Sequence, residues 1–235
     1  MSKNESETSQ ASPASQGAEA STQGPEKSSA DHFLPLHLIA KRGNWGHFLG
    51  RKKSASFQIT AKKVLERDQN TCRFCGFSSD KYQEIINIDH QYENNDLSNL
   101  ATSCNFCALY LFIDGISQGD RQTATLLFLP EITQTALNHF CRVLFCGMLK
   151  DAPYKGKLLS VYLSLQERKT AIENIFGPGS SNPSVFGQSL LDCGIDLKQQ
   201  INHPLMKHVR LLPTRKYFKT QIEYWRSTVF SKLPL

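Results

Sequence analysis

The residues of this chain best suited to chemistry are two short cysteine pairs, Cys72-Arg73-Phe74-Cys75 and Cys104-Asn105-Phe106-Cys107, with residues 76–103, 28 in all, between them. Two thiolates on a tight turn grip one side of a metal ion. A second pair completes the tetrahedral four-sulfur shell that Zn²⁺ takes in structural sites. The competing readings are two disulfides or four unrelated core thiols, but nothing else here resembles a secreted, disulfide-stapled domain. Cys72, Cys75, Cys104 and Cys107 are therefore the expected ligands of a structural zinc. Cys141, Cys146 and Cys193 stand outside the pattern and read as buried thiols of low reactivity.

Several elements must bring these pairs together. Phe33 to Ile39 reads as a short strand, held at a sheet edge by Pro35. Gly43-Asn44-Trp45-Gly46 reads as a turn. Phe57 to Asp68 reads as a helix, with Phe57, Ala61, Val64 and Leu65 on one side. The first pair follows, with Gly76 suited to its turn. Tyr82 to Ile88 is strand-like and ends in Asp89-His90, and a polar loop, Glu93 to Asp96, leads to Asn99-Leu100 and the second pair. From Asn105 a helix begins that is apolar nearly all round.

Beyond it, Thr123 to Leu129 should be extended and stopped by Pro130. Three helical segments are then expected, marked by Ile132, Leu137, Phe140 and Leu144, by Leu158, Val161, Tyr162, Leu165 and Ile172, and by Phe218, Ile222, Trp225 and Val229. The last starts after Pro213 with Thr214 as N-cap. Gly177 to Pro183 reads as a loop and a subdomain boundary. The expected class is α+β, with a zinc-stapled module and additional helices in the C-terminal half.

Bulk properties bound the function. The chain has 235 residues, is 40% hydrophobic and carries a formal charge of +6. Residues 1–30 lack aromatic and aliphatic branched side chains and read as a disordered tail, because they cannot bury enough apolar surface to offset the entropy of ordering. No apolar run opens the chain, and the longest uninterrupted one, Phe106 to Ile113, is too short to span a bilayer. Together these point to a reducing, cytosolic setting with thiols free for metal. The basic residues are spread thinly, at Arg51-Lys52-Lys53, Lys62-Lys63 and Arg210 to Lys219, and read as a solvated face rather than a dedicated nucleic-acid patch.

Taken together, Leu65 to Asp68, the first Cys pair with Gly76, Ile88-Asp89-His90, Asn99-Leu100 and the second pair resemble the HNH endonuclease family over residues 57–113. The resemblance implies a ββα-metal fold. In active members an acidic residue helps to hold a divalent cation and a His activates water; by position these are Asp89 and His90, with Asn99 orienting the loop. A second ligand is expected just after the last Cys, where this chain has Ala108, whose methyl group cannot coordinate a cation. An active nuclease is therefore not the expected function, and Asp89-His90 reads as a relic or a structural pair.

A closer resemblance covers most of residues 33–235. Gly43-Asn44-Trp45 with Arg51-Lys52, Lys63 to Asp68, Cys72 to Phe77, Tyr82-Gln83-Glu84, Asn94-Asn95, Leu97-Ser98-Asn99 and the second knuckle with its apolar continuation are similar to the IcmJ/DotN family of Dot/Icm type IV secretion subunits. This implies a non-enzymatic adaptor with a structural Zn²⁺. It would be bound to the C-terminal extension of a DotL-like coupling ATPase and to other coupling-complex subunits, in the cytoplasm and peripheral to the inner membrane. An HNH-type nuclease or a nucleic-acid-binding zinc module is the alternative. On the adaptor reading, the expected module is residues 31–122, with a mostly helical region, 123–235, packed on it. The apolar helix after the second pair, Trp45 and the aromatics of the last helix are candidate partner anchors, or else core.

Overall fold

The structure, a computed structural model, describes residues 33–117, 122–149 and 153–232. The tail of residues 1–30, expected to be disordered, lies outside the described residues.

The observed class is α+β, as expected. Residues 33–40 are not a strand. Their backbone makes isolated ties, Leu34 N–H to the Arg73 carbonyl (2.8 Å) and Ile39 N–H to the Tyr110 carbonyl (3.0 Å), and no ladder. Nor does the chain merely turn at Gly43. This glycine, at φ +85°, reverses it into helix α1 (Asn44–Arg51), which turns Asn44, Phe48 and Arg51 inward. Helix α2 (Ala55–Arg67) appears where the apolar spacing put it, with Phe57 and Val64 buried against Ile85 and Leu100.

Strands β1 (Gln83–Asn87) and β2 (Leu100–Cys104) pair antiparallel, with Gln83 opposite Cys104 and Asn87 opposite Leu100. Helix α3 (Asn105–Tyr110) leaves β2 directly. It is short, yet every residue from Phe106 to Ile113 is buried. The continuously apolar run is thus used inside the chain's own core.

Strand β3 (Ala124–Phe128) matches the expected extended segment. Helix α4 (Gln134–Gly147) is capped by Thr133, whose hydroxyl accepts the Ala136 N–H at 3.1 Å. The single helix expected across Leu158 to Ile172 is two, α5 (Lys155–Glu167) and α6 (Lys169–Phe176), and α6 packs on β3. Three further elements were not anticipated. Helix α7 (Pro183–Asp192) is capped by the Asn182 side chain, and α8 (Leu197–Asn202) by an Asp196/Gln199 capping box. Strand β4 (Val209–Pro213) pairs antiparallel with β3, Ala124 opposite Pro213 and Phe128 opposite Val209.

Helix α9 (Lys219–Ser227) begins later than expected. Thr214 is not its N-cap, because the Thr214 N–H continues the sheet by bonding to the Thr123 carbonyl at 2.9 Å. In the α9 stripe Phe218, Ile222 and Trp225 are buried while Val229 is exposed. A main core cluster includes residues from Leu38 through Phe112, Leu126 and Phe145 to Trp225, and Phe33–Leu235 form one compact unit that includes the Gly177–Pro183 loop.

Candidate metal centre

The first cysteine pair sits in a loop closed by the isolated bridge between Thr71 and Ser78. Within it the Gly76 N–H bonds to the Cys72 carbonyl at 2.8 Å, and the Cys72 N–H to the Phe77 carbonyl at 3.0 Å. Gly76 has φ +72°, and a Cβ there would lie 2.9 Å from the Phe33 ring, so the turn needs glycine. The second pair sits at a strand–helix junction, where Cys104 ends β2 and caps α3, its Sγ accepting the Cys107 N–H at 3.5 Å. The Arg73 N–H donates to the Thr102 carbonyl (2.8 Å), tying the first loop to β2 beside the second pair.

The four sulfurs of Cys72, Cys75, Cys104 and Cys107 all lie within 4.8 Å of one another, and all four residues are buried. Cys75 Sγ and Cys104 Sγ are 3.7 Å apart. That is far beyond a disulfide bond of about 2.05 Å. It matches the edge, about 3.8 Å, of a tetrahedron with metal–sulfur bonds of about 2.3 Å. The donor set therefore fits a metal ion, and it excludes the disulfide reading for this geometry. Hydrogen bonds from Cys104 and Cys107 pull the Cys75 thiol well below its ordinary pKa, whereas burial drives Cys104 and Cys107 well above theirs. Four thiolates cannot share so dry a space without cationic charge.

One such charge comes from α4. Arg142 is fully buried, and its Nη2 donates to Cys104 Sγ at 2.6 Å and to Cys75 Sγ at 3.7 Å. Its guanidinium carbon lies 3.9 Å from the Phe77 ring centre, 5.1 Å from Phe106 and 5.9 Å from Trp225. One turn earlier Asn138 Nδ2 donates to Cys107 Sγ (3.3 Å), and the neighbouring His139 Nε2 lies 2.7 Å from the Cys75 carbonyl oxygen. A turn before that, Gln134 Nε2 donates to Asn138 Oδ1 (2.9 Å) and to the Leu211 carbonyl on β4 (2.9 Å).

These polar residues are the part of the site that reading the sequence missed. Gln134, Asn138 and Arg142 recur every fourth residue and are all buried, whereas Phe140, taken as a core marker, is 44% exposed. The four-residue spacing was visible, but a polar stripe ordinarily faces water.

The HNH-type residues have other employment. Asp89 Oδ1 accepts the Gln91 N–H (2.8 Å) and Asn99 Nδ2 (2.9 Å), and its Oδ2 accepts Asn94 Nδ2 (3.1 Å). Asn99 in turn accepts the Asp89 N–H at 3.0 Å. His90 has φ +56°, and its carbonyl accepts Lys41 Nζ and Asn44 Nδ2, both at 2.9 Å. Burial first, then the Lys41 charge, pull its imidazole down to about 4, so the ring is neutral at pH 7. Ala108 is buried within α3.

Other expectations need correction. Cys141 and Cys146 are buried, each pushed up to about 12 chiefly by burial, but Cys193, at the end of α7, is exposed. Of the two readings left open for the apolar helix and Trp225, partner anchor or core, the structure has core, because the chain buries both. Arg51 is not part of a solvated basic face. It lies over the Phe57 and Tyr92 rings and bonds to Asn87 and to the Ile85 carbonyl. Lys52 pairs with Glu84 at 2.6 Å, and Arg210 donates to the Ile132 and Lys207 carbonyls. No helix among the described residues is long and apolar enough to cross a membrane.

No protein-family profile matches the chain. Over 198 residues it is 41% identical to the type 4 apparatus protein DotN of Legionella pneumophila, an alignment covering 84% of this chain and 92% of that protein.

Proposed function

This chain belongs to the DotN family of type 4 apparatus proteins, and from that membership we propose that it is a non-enzymatic adaptor subunit of the Dot/Icm coupling complex. It binds the C-terminal extension of a DotL-like coupling ATPase, meets other coupling-complex subunits, and acts in effector recruitment. It sits in the cytoplasm, held at the inner membrane through that ATPase. The observation carrying this reading is a likeness that extends over most of the chain, well beyond the cysteine motif.

In the same reading, residues 31–122 form an HNH-like ββα module, on which the mostly helical residues 123–235 pack. Cys72, Cys75, Cys104 and Cys107 hold a structural Zn²⁺. When bound, the ion supplies a four-way cross-link between the first loop and the β2–α3 junction. Such a link is worth on the order of 10 kcal/mol of folding free energy. The absence of catalysis is supported by Ala108 at the ligand position and by an Asp89 carboxylate already occupied by three donors. A base with a pKa near 4 is also poorly matched to work at pH 7. The structural duties of Arg51, Lys52 and Arg210 leave the basic clusters less able to serve nucleic acid.

The test is co-purification with the cytoplasmic tail of the coupling ATPase, with zinc measured on the same sample. A stable one-to-one complex carrying about one zinc per chain is expected. Zinc without association would sink the adaptor reading. Mg²⁺-dependent DNA cleavage abolished by His90→Ala would replace it with a nuclease.

A further inference from the structure

We propose that Arg142 is the counter-ion of the metal centre, a positioning residue through which metal affinity and the docking of α4 and α9 onto the cysteine loops become one equilibrium. This rests on the tetrathiolate reading above.

A guanidinium stays charged at any pH a protein survives, and burying it without a compensating anion is costly. Among the described residues no carboxylate pairs with Arg142. Its Nε and Nη1 have no hydrogen-bond partner among the described residues, and its polar contacts there are the sulfurs of Cys104 and Cys75. Four neutral thiols would leave the cation uncompensated, and four bare thiolates would overwhelm it. Four thiolates around a divalent cation carry two net negative charges, of which one guanidinium at bonding distance cancels half. This is the charge state that the buried arginine fits.

The surroundings tie that charge to the architecture. The rings over Arg142 come from Phe77 beside the first pair, Phe106 inside the second, and Trp225 on α9. The same helix face carries Asn138 to Cys107 and Gln134 to Leu211 of β4. Metal loss would thus remove the anion that holds Arg142 among the rings and loosen the packing of both helices. Conversely, the packed helices supply the cation and N–H donors that stabilise bound thiolates.

The experiment compares zinc affinity, by competition with a chromogenic chelator, in the full chain and in Arg142→Lys and Arg142→Met. Methionine keeps the volume of the stem without charge, and lysine keeps the charge. Arg142→Met should lose about 10- to 100-fold in zinc affinity, the usual cost of removing an outer partner of a metal ligand, and Arg142→Lys should retain most of it. In the Co²⁺-substituted protein the sulfur-to-metal charge-transfer band should move to lower energy in the Met variant. A Met variant that fails to fold beside a folded, zinc-loaded Lys variant also supports the proposal. Equal behaviour of the two variants, whether both like the parent or both equally impaired, would overturn it, as would an unmoved cobalt band. A parent chain that holds no zinc would overturn the metal reading itself.

Discussion

Individual side chains here do their structural work through buried polar contacts. Asp68, just after α2, has a fully buried side chain that accepts Arg67 Nε (2.9 Å) and the Thr102 N–H on β2 (2.9 Å). Burial pushes its carboxyl up, but the bonds from Arg67 and Thr102 outweigh burial, and the pKa ends below the ordinary 3.8. A carboxylate depressed in the folded state stabilises fully above its unfolded pKa, and that contribution fades as pH falls below 3.8 towards the folded value. Chemical denaturation from pH 7 down to about pH 2 should therefore show a shallower acid loss in Asp68→Asn than in the parent. Asp68→Ala should cost about 1–3 kcal/mol at neutral pH, since it orphans the buried Thr102 N–H.

Helices and strands follow their local signals where those signals are complete. Phe57 and Val64 predicted α2, and Gly76 predicted the first cysteine turn. The expected β-strand at residues 33–39 failed because a strand needs a partner ladder, and among the described residues this segment makes only isolated backbone ties. For β4 the reverse held: its partner β3 is remote in sequence, and Arg210 interrupts its apolar pattern while donating to nearby carbonyls. Helix α7 depends on a glycine for closeness rather than flexibility. A Cβ at Gly187 would lie 2.7 Å from the Asp114 backbone N and Cα, which cannot swing aside. Gly187→Ala would gain up to about 1 kcal/mol of helix propensity. Overpacking should outweigh that and leave a net loss of about 1–2 kcal/mol, read as a lower midpoint in thermal unfolding.

At the scale of the whole molecule, the cysteine cluster and the C-terminal helices share one core. Trp225 is fully buried and meets Phe77 and Phe106 at ring-centre distances of 5.3 and 5.4 Å, beside the cysteine pairs. If the cysteine cluster holds the proposed zinc, chelation should therefore be felt on α9. In a Trp45→Phe background, where Trp225 is the remaining tryptophan, chelator should red-shift and quench its emission, and zinc should restore both. Emission that ignores chelation would mean that the α9 packing stands without the metal. Trp225→Ala should cost about 3–5 kcal/mol by opening a cavity between the cysteine loops and α9.

The sequence alone singled out the four cysteines, because two pairs of thiols each spaced by two residues suit one metal ion, and the fold does bring all four sulfurs within 4.8 Å of one another. It also determined the α+β class, which rests on local patterns. Tertiary structure decided what lies around the sulfurs. Gln134, Asn138 and Arg142 face inward because the knuckles and β4 offer them sulfur and carbonyl acceptors, whereas Phe140 on the same helix meets solvent. A local pattern records which face of a helix is apolar. It does not record that a polar face has been buried against a cysteine cluster joined to it only by the fold.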